Sequence, residues 1–151
     1  MNTVKHNYVK RNFILFAIGI LVPLFLQSCA KKYAFQISSL VPAAEGSVIV
    51  KKDKNKNYTI QLKVANLADP KRLSPARDMY VVWMETDHSN NTNIGQLKTS
   101  SGMMSKALKS SLSTVTSFKP TAFFITAENS SDIQYPGGEV VLKTGQISVK
   151  N

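Results

Sequence analysis

Cysteine is almost missing from this chain: Cys29 is the only one in 151 residues. With no second thiol an intrachain disulfide is excluded, and any domain must rest on its own core. Histidine is nearly as scarce, with His6 and His88 alone. A zinc centre needs three or four thiolate, imidazole or carboxylate ligands, and these two histidines stand far apart in the chain. Acids number nine against nineteen basic residues. There is no G-x-S-x-G elbow, and Gly95 and Gly102 stand too isolated to cradle a phosphate. Repeats and low-complexity tracts are absent too. Long apolar runs are limited to Phe13–Leu26, which carries Pro23. It falls short of the roughly 20 residues that a spanning helix needs.

What is present begins at that run. Lys5, Lys10 and Arg11 precede it with no acid among them, and Leu26-Gln27-Ser28-Cys29 closes it. A basic start, an apolar middle and a small residue at the end are the grammar of an export signal. The final four residues resemble the lipobox of bacterial lipoproteins, with Leu26 at its third position before the cysteine and Ser28 immediately before it. Gln27 is a less typical occupant of its place. The resemblance implies that residues 1–28 are removed and that Cys29 becomes an acylated N-terminus bound to a membrane. Two acyl chains give a stable anchor where one is reversible. A buried structural cysteine is the competing reading, but a core residue has no reason to end an apolar signal.

Residues 29–151 are 123 residues, one ordinary domain. All nine acids lie there and three basic residues leave with the signal, so the mature net charge is +7. No basic helix, finger spacing or aromatic platform accompanies that charge, and a nucleic-acid partner is not expected. Lys51, Lys52, Lys54 and Lys56 alternate with Asp53, Asn55 and Asn57 as a solvated hairpin turn does. Attraction to anionic lipid or acidic glycan is a secondary role open to the excess charge.

Residues 29–34 form a short acylated tether in this scheme, and the domain runs over 35–151. Phe35–Leu40 is the first expected strand, followed by Ser47–Lys52 and Tyr58–Asn66. In the latter, Tyr58, Ile60, Leu62 and Val64 alternate with polar residues, the period of a half-buried strand. Ala68–Asp78, with Pro70 and Pro75, is a loop. Met79–Thr86 is apolar on both faces, which predicts a central strand covered on both sides. Asn93–Thr99, Lys106–Thr114, Thr121–Glu128 and Glu139–Lys143 complete the pattern, with Ile147 and Val149 at the end. Leu108, Leu112 and Val115 also suit a short helical face, but strand is the better fit. Seven or eight strands without a clear helix predict an all-β fold, an antiparallel β-sandwich of immunoglobulin-like type. Trp83 is expected at its centre, rather than as a stacking surface for a ligand.

Met79-Tyr80-Val81-Val82-Trp83, Asn93-Ile94-Gly95-Gln96-Leu97, Phe124-Ile125-Thr126-Ala127-Glu128 and Pro136-Gly137-Gly138-Glu139-Val140-Val141-Leu142 occur in that order. The series is similar to the extracytoplasmic domain of anti-sigma-K-type factors, over about half of the mature chain. It implies a sensory or interaction module beyond the membrane. Sigma-factor binding is not implied, because only twelve residues precede the apolar run.

Few residues invite chemistry. His88 lies in a polar loop, where a solvated histidine is the bland and better reading; Ser89 is too near in sequence to serve it as a nucleophile. Asp87, Asn90 and Asn91 lack the ladder spacing of a calcium loop. Glu128 and Asp132 could pair as catalytic carboxylates, but Glu128 at a strand end reads better as an edge charge. Met79 and Met84 read as core filling and Met103 and Met104 as turn residues, ahead of a soft-metal site. Asn57 and Asn129 match a glycosylation pattern that carries little weight in a bacterial lipoprotein. No catalytic residue, metal or cofactor is expected. The sequence therefore points to a non-catalytic binding or docking module on a bacterial envelope, with a protein partner there. The alternative is a ligand-sensing domain with a concave site formed by 68–78, 87–92 and 102–105. Docking would instead show as an exposed apolar patch or an open edge strand. Ala30 in place of an acid after Cys29 resembles lipoproteins sent to the outer membrane, facing the periplasm.

Overall fold

The computed structural model describes residues 30–87, 91–101 and 108–149. Nine strands run through them: β1 (Lys31–Ala34), β2 (Glu45–Lys52), β3 (Tyr58–Ala65), β4 (Met79–Thr86), β5 (Asn91–Gln96), β6 (Lys98–Ser101), β7 (Leu108–Thr116), β8 (Pro120–Glu128) and β9 (Val140–Lys143). A 3-10 turn at Pro70–Arg72 interrupts the loop between β3 and β4. Every strand pairing is antiparallel.

The strands form two sheets, in the orders β1-β2-β3-β7-β6 and β5-β4-β8-β9. Matching β2 to β9 in sequence with strands A, B, C, C′, D, E, F and G gives A-B-E-D in one sheet and C′-C-F-G in the other. That is the immunoglobulin sandwich arrangement, with β1 added beside A. The expected fold class holds. No disulfide ties the sheets. Val48, Val50, Ile60 and Leu62 from one inner face meet Val82, Met84, Phe123 and Ile125 from the other, all fully buried. Each such side chain contributes about 1.5–3 kcal/mol by leaving water, and these layers replace the missing cross-link.

Beyond shifts of two residues at β2 and β7, the boundaries depart from expectation in two places. Lys31–Ala34, where the sequence pattern indicates a tether, is the edge strand β1, pairing Lys31 with Val50 and Ala34 with Ser47. Its two lysines hide it, because an edge strand needs no apolar alternation when only its backbone is engaged. The expected strand Phe35–Leu40 reduces to a single bridge from Phe35 to Thr144. Gln36 N–H then donates to Lys143 O at 2.9 Å, so the chain leaves the first sheet for the second within two residues. The other departure is at Leu97. This buried residue separates β5 from β6, and Asn93–Thr99, expected as one strand, divides between the two sheets.

Trp83 is fully buried but lies outside the layer between the sheets. Because β4 is apolar on both faces, its odd-numbered residues Met79, Val81 and Trp83 turn outward. They form a second small core with Phe124 and Ile133. The Trp83 and Phe124 rings stack with centroids 6.1 Å apart and planes 12° from parallel. Residues 129–138 fold over this face. Trp83 Nε1–H donates to Thr126 Oγ1 (2.8 Å), and the Thr126 hydroxyl donates to Glu128 Oε1 (2.6 Å). The same carboxylate oxygen accepts from Gly137 N (3.1 Å) and Gly138 N (3.0 Å). Glycine is required at 138, since a Cβ there would stand 1.9 Å from Ala127 O.

Candidate partner-docking site

Chain polarity separates two of the three loops expected to form a ligand-sensing cleft. Residues 68–78 join the end of β3 to the start of β4, whereas Asp87 follows the end of β4. They occupy opposite ends of the sandwich, so 68–78 and the described residues of 87–92 build no common concavity. Residues 102–105 lie outside the described residues.

The catalytic candidates among the described residues are absorbed by the fold. Glu128 is buried, contrary to the edge charge expected, and its carboxylate clamps the covering loop. Asp132 accepts from Ser131 Oγ instead. Met84 fills the inter-sheet core and Met79 packs against the outer one. Leu26, Gln27, Ser28, Cys29, His88, Met103 and Met104 lie outside the described residues. Among the described residues no buried side-chain nitrogen or oxygen lacks a hydrogen-bond partner. No cluster of three or more metal-ligating side chains stands among them.

What remains open is an edge. β9 terminates the second sheet, and among the described residues its outer side is joined by the Phe35–Thr144 bridge and by Gln36 N–H to Lys143 O, with no further strand paired to it. Along this edge Ile37 is 89% exposed, Leu40 41% and Val140 47%. A groove of about 250 Å³ borders it, lined by Leu40, Glu139, Val141, Leu73, Arg72 and Arg77 among others. Sequence reasoning misses this site, because Ile37 and Leu40 look like inward residues of a strand that does not form.

The arginine wall is held in place by backbone bonds. Asp69 caps the 3-10 turn by accepting from Lys71 N (3.0 Å), and Arg77 N–H returns to Pro70 O (3.0 Å). Asp78 N–H donates to Glu128 O at 3.0 Å, tying the loop to the end of β8. Tyr80 anchors its other side by donating to Ala68 O at 2.9 Å. Burial, aided by the nearby Asp69 carboxylate, pushes the Tyr80 phenol up from 10.0 to about 12. The groove is therefore preorganised, which reduces the ordering cost of binding. A free strand edge offers backbone donors and acceptors to an extended peptide, and flanking pockets select its side chains. Here the lining is apolar with two guanidinium groups and the Glu139 carboxylate, suited to an apolar segment whose acidic residues meet Arg72 and Arg77.

Comparison with known families, with curated proteins and with solved structures finds no match to this chain. The four segments that carry the resemblance to anti-sigma-K-type domains fall on β4, β5, β8 and the approach to and body of β9. Together they make up the second sheet.

Proposed function

We propose that this chain is a bacterial envelope lipoprotein, acylated at Cys29, whose sandwich docks an extended segment of another envelope protein along β9. It is a non-catalytic module, set on the outer membrane and facing the periplasm. The observation that carries the docking role is the open β9 edge, where exposed Ile37, Leu40 and Val140 border a groove walled by Arg72 and Arg77. The anchor rests on Leu26-Gln27-Ser28-Cys29 and the apolar run before it. Binding is favoured over catalysis because the buried polar side chains among the described residues all have hydrogen-bond partners within the fold.

The test is capture from membranes with intact protein, comparing wild type with Val140→Glu and with Leu40→Asp. Both positions are exposed, so either variant is expected to keep the wild-type unfolding midpoint. The expected result is a partner cross-linked to wild type and lost from both variants, with acidic residues in the cross-linked peptide. Equal recovery with both variants contradicts docking at this edge.

A further inference from the structure

The strand register gathers the start of the described chain and most of its lysines at one end of the sandwich. Lys31 pairs with Val50, so β1 begins where β2 ends at Lys51 and Lys52. The turn to β3 carries Lys54 and Lys56. Asp53 in the same turn already accepts from Asn57 N at 2.8 Å. Tyr58 pairs with Thr116, which brings the β7–β8 turn with Phe118 and Lys119 to this end. Phe118 is 54% exposed and Val115, nearby on the outer face, 62%. Among the described residues the acids toward this end are Asp53, Asp87 and Glu85, the last paired with Lys143 at 2.7 Å, whereas Glu45, Asp69, Asp78, Glu128 and Glu139 lie toward the other. The molecule is thus charge-polarised along its long axis.

We infer that this basic, Phe118-tipped end is a membrane-apposed face that seats the sandwich end-on upon anionic lipid headgroups. The inference rests on the acylated Cys29 proposed above. Two residue steps separate Cys29 from the first residue of β1, a reach of about 7 Å at full extension. That leaves no spacer to lift the domain away, so the end bearing Lys31 must lie against the headgroups. Lysines held within a screening length of an anionic leaflet are attracted to it, and an exposed aromatic ring suits the interface. The arrangement also sets the function of the β9 groove. Arg72 and Arg77 belong to the opposite end, so the docking site is directed away from the bilayer toward a partner.

Purified full-length acylated protein in vesicles of phosphatidylcholine, with or without phosphatidylglycerol, tests this. Fluorophores are placed at Asn55→Cys in the near turn or Ala76→Cys in the far loop, and quenched by nitroxide-bearing lipid. The expected result is quenching at 55 and not at 76, confined to vesicles with phosphatidylglycerol. It should be lost when Lys51, Lys54 and Lys119 are changed to Glu, and at about 1 M salt, where screening acts within about 3 Å. Far-end reversal at Lys71 and Arg72 should leave it unchanged. Equal quenching at both sites, or indifference to lipid charge, overturns the inference. So does binding to a soluble polyanionic glycan without response to phosphatidylglycerol. Intact mass reports separately whether the diacylglyceryl group is present. If it is missing the anchor reading fails, and flotation decides the inference: co-flotation with phosphatidylglycerol vesicles supports it and its absence overturns it.

Discussion

At Glu128 one carboxylate oxygen accepts from two glycine amides and a threonine hydroxyl that itself accepts from Trp83. A charged acceptor strengthens each bond, and removing it leaves buried donors without partners. Glu128→Ala should therefore cost about 3 kcal/mol or more, well above a surface substitution. Urea unfolding followed by Trp83 fluorescence measures it, because Trp83 is the only tryptophan and sits beneath the loop that Glu128 holds. A loss comparable to that at the exposed Glu139 would contradict this account. Nothing in the sequence distinguishes Glu128 from an ordinary strand-end charge. Its role depends on Gly137 and Gly138 returning to it from nine and ten residues away, a long-range closure that local pattern does not encode.

Among the elements, those with a clear alternation or a wholly apolar run were legible. Met79–Thr86 is placed to the residue, and Tyr58–Asn66 and Thr121–Glu128 to within one. The choice of strand over helix for β7 also holds. Elements defined by backbone pairing alone were not: β1 is half lysine, and β6 is separated from β5 by one buried leucine. The face on which Trp83 lies was hidden for a related reason. A strand apolar on both sides does not reveal which side meets the second sheet. The docking edge was obscured by the same early residues, since Ile37 and Leu40 imitate a strand. The loop walling the groove is held partly by Tyr80, and this gives a pH signature. Its raised pKa means the folded state keeps the phenolic proton longer than the unfolded chain. The stabilisation is complete below pH 10.0 and is lost as pH rises toward about 12. Wild type should lose more stability than Tyr80→Phe across that interval, measured by urea unfolding at each pH. Parallel pH profiles would contradict it.

At the scale of the molecule, the proposed lipid anchor and the proposed docking groove fall at opposite ends of an immunoglobulin-type sandwich without a disulfide. One end carries the lysines and the chain's emergence from Cys29. The other carries the arginine-walled loop and leads to the open edge of β9. Such polarity would give the proposed attachment at Cys29 an orienting consequence beyond tethering. Everything in that arrangement depends on Cys29 being modified, so lipid labelling is the most direct measurement. Cells fed radiolabelled palmitate should yield labelled wild-type protein and unlabelled Cys29→Ala. Equal labelling of the two, or none in either, would contradict the account.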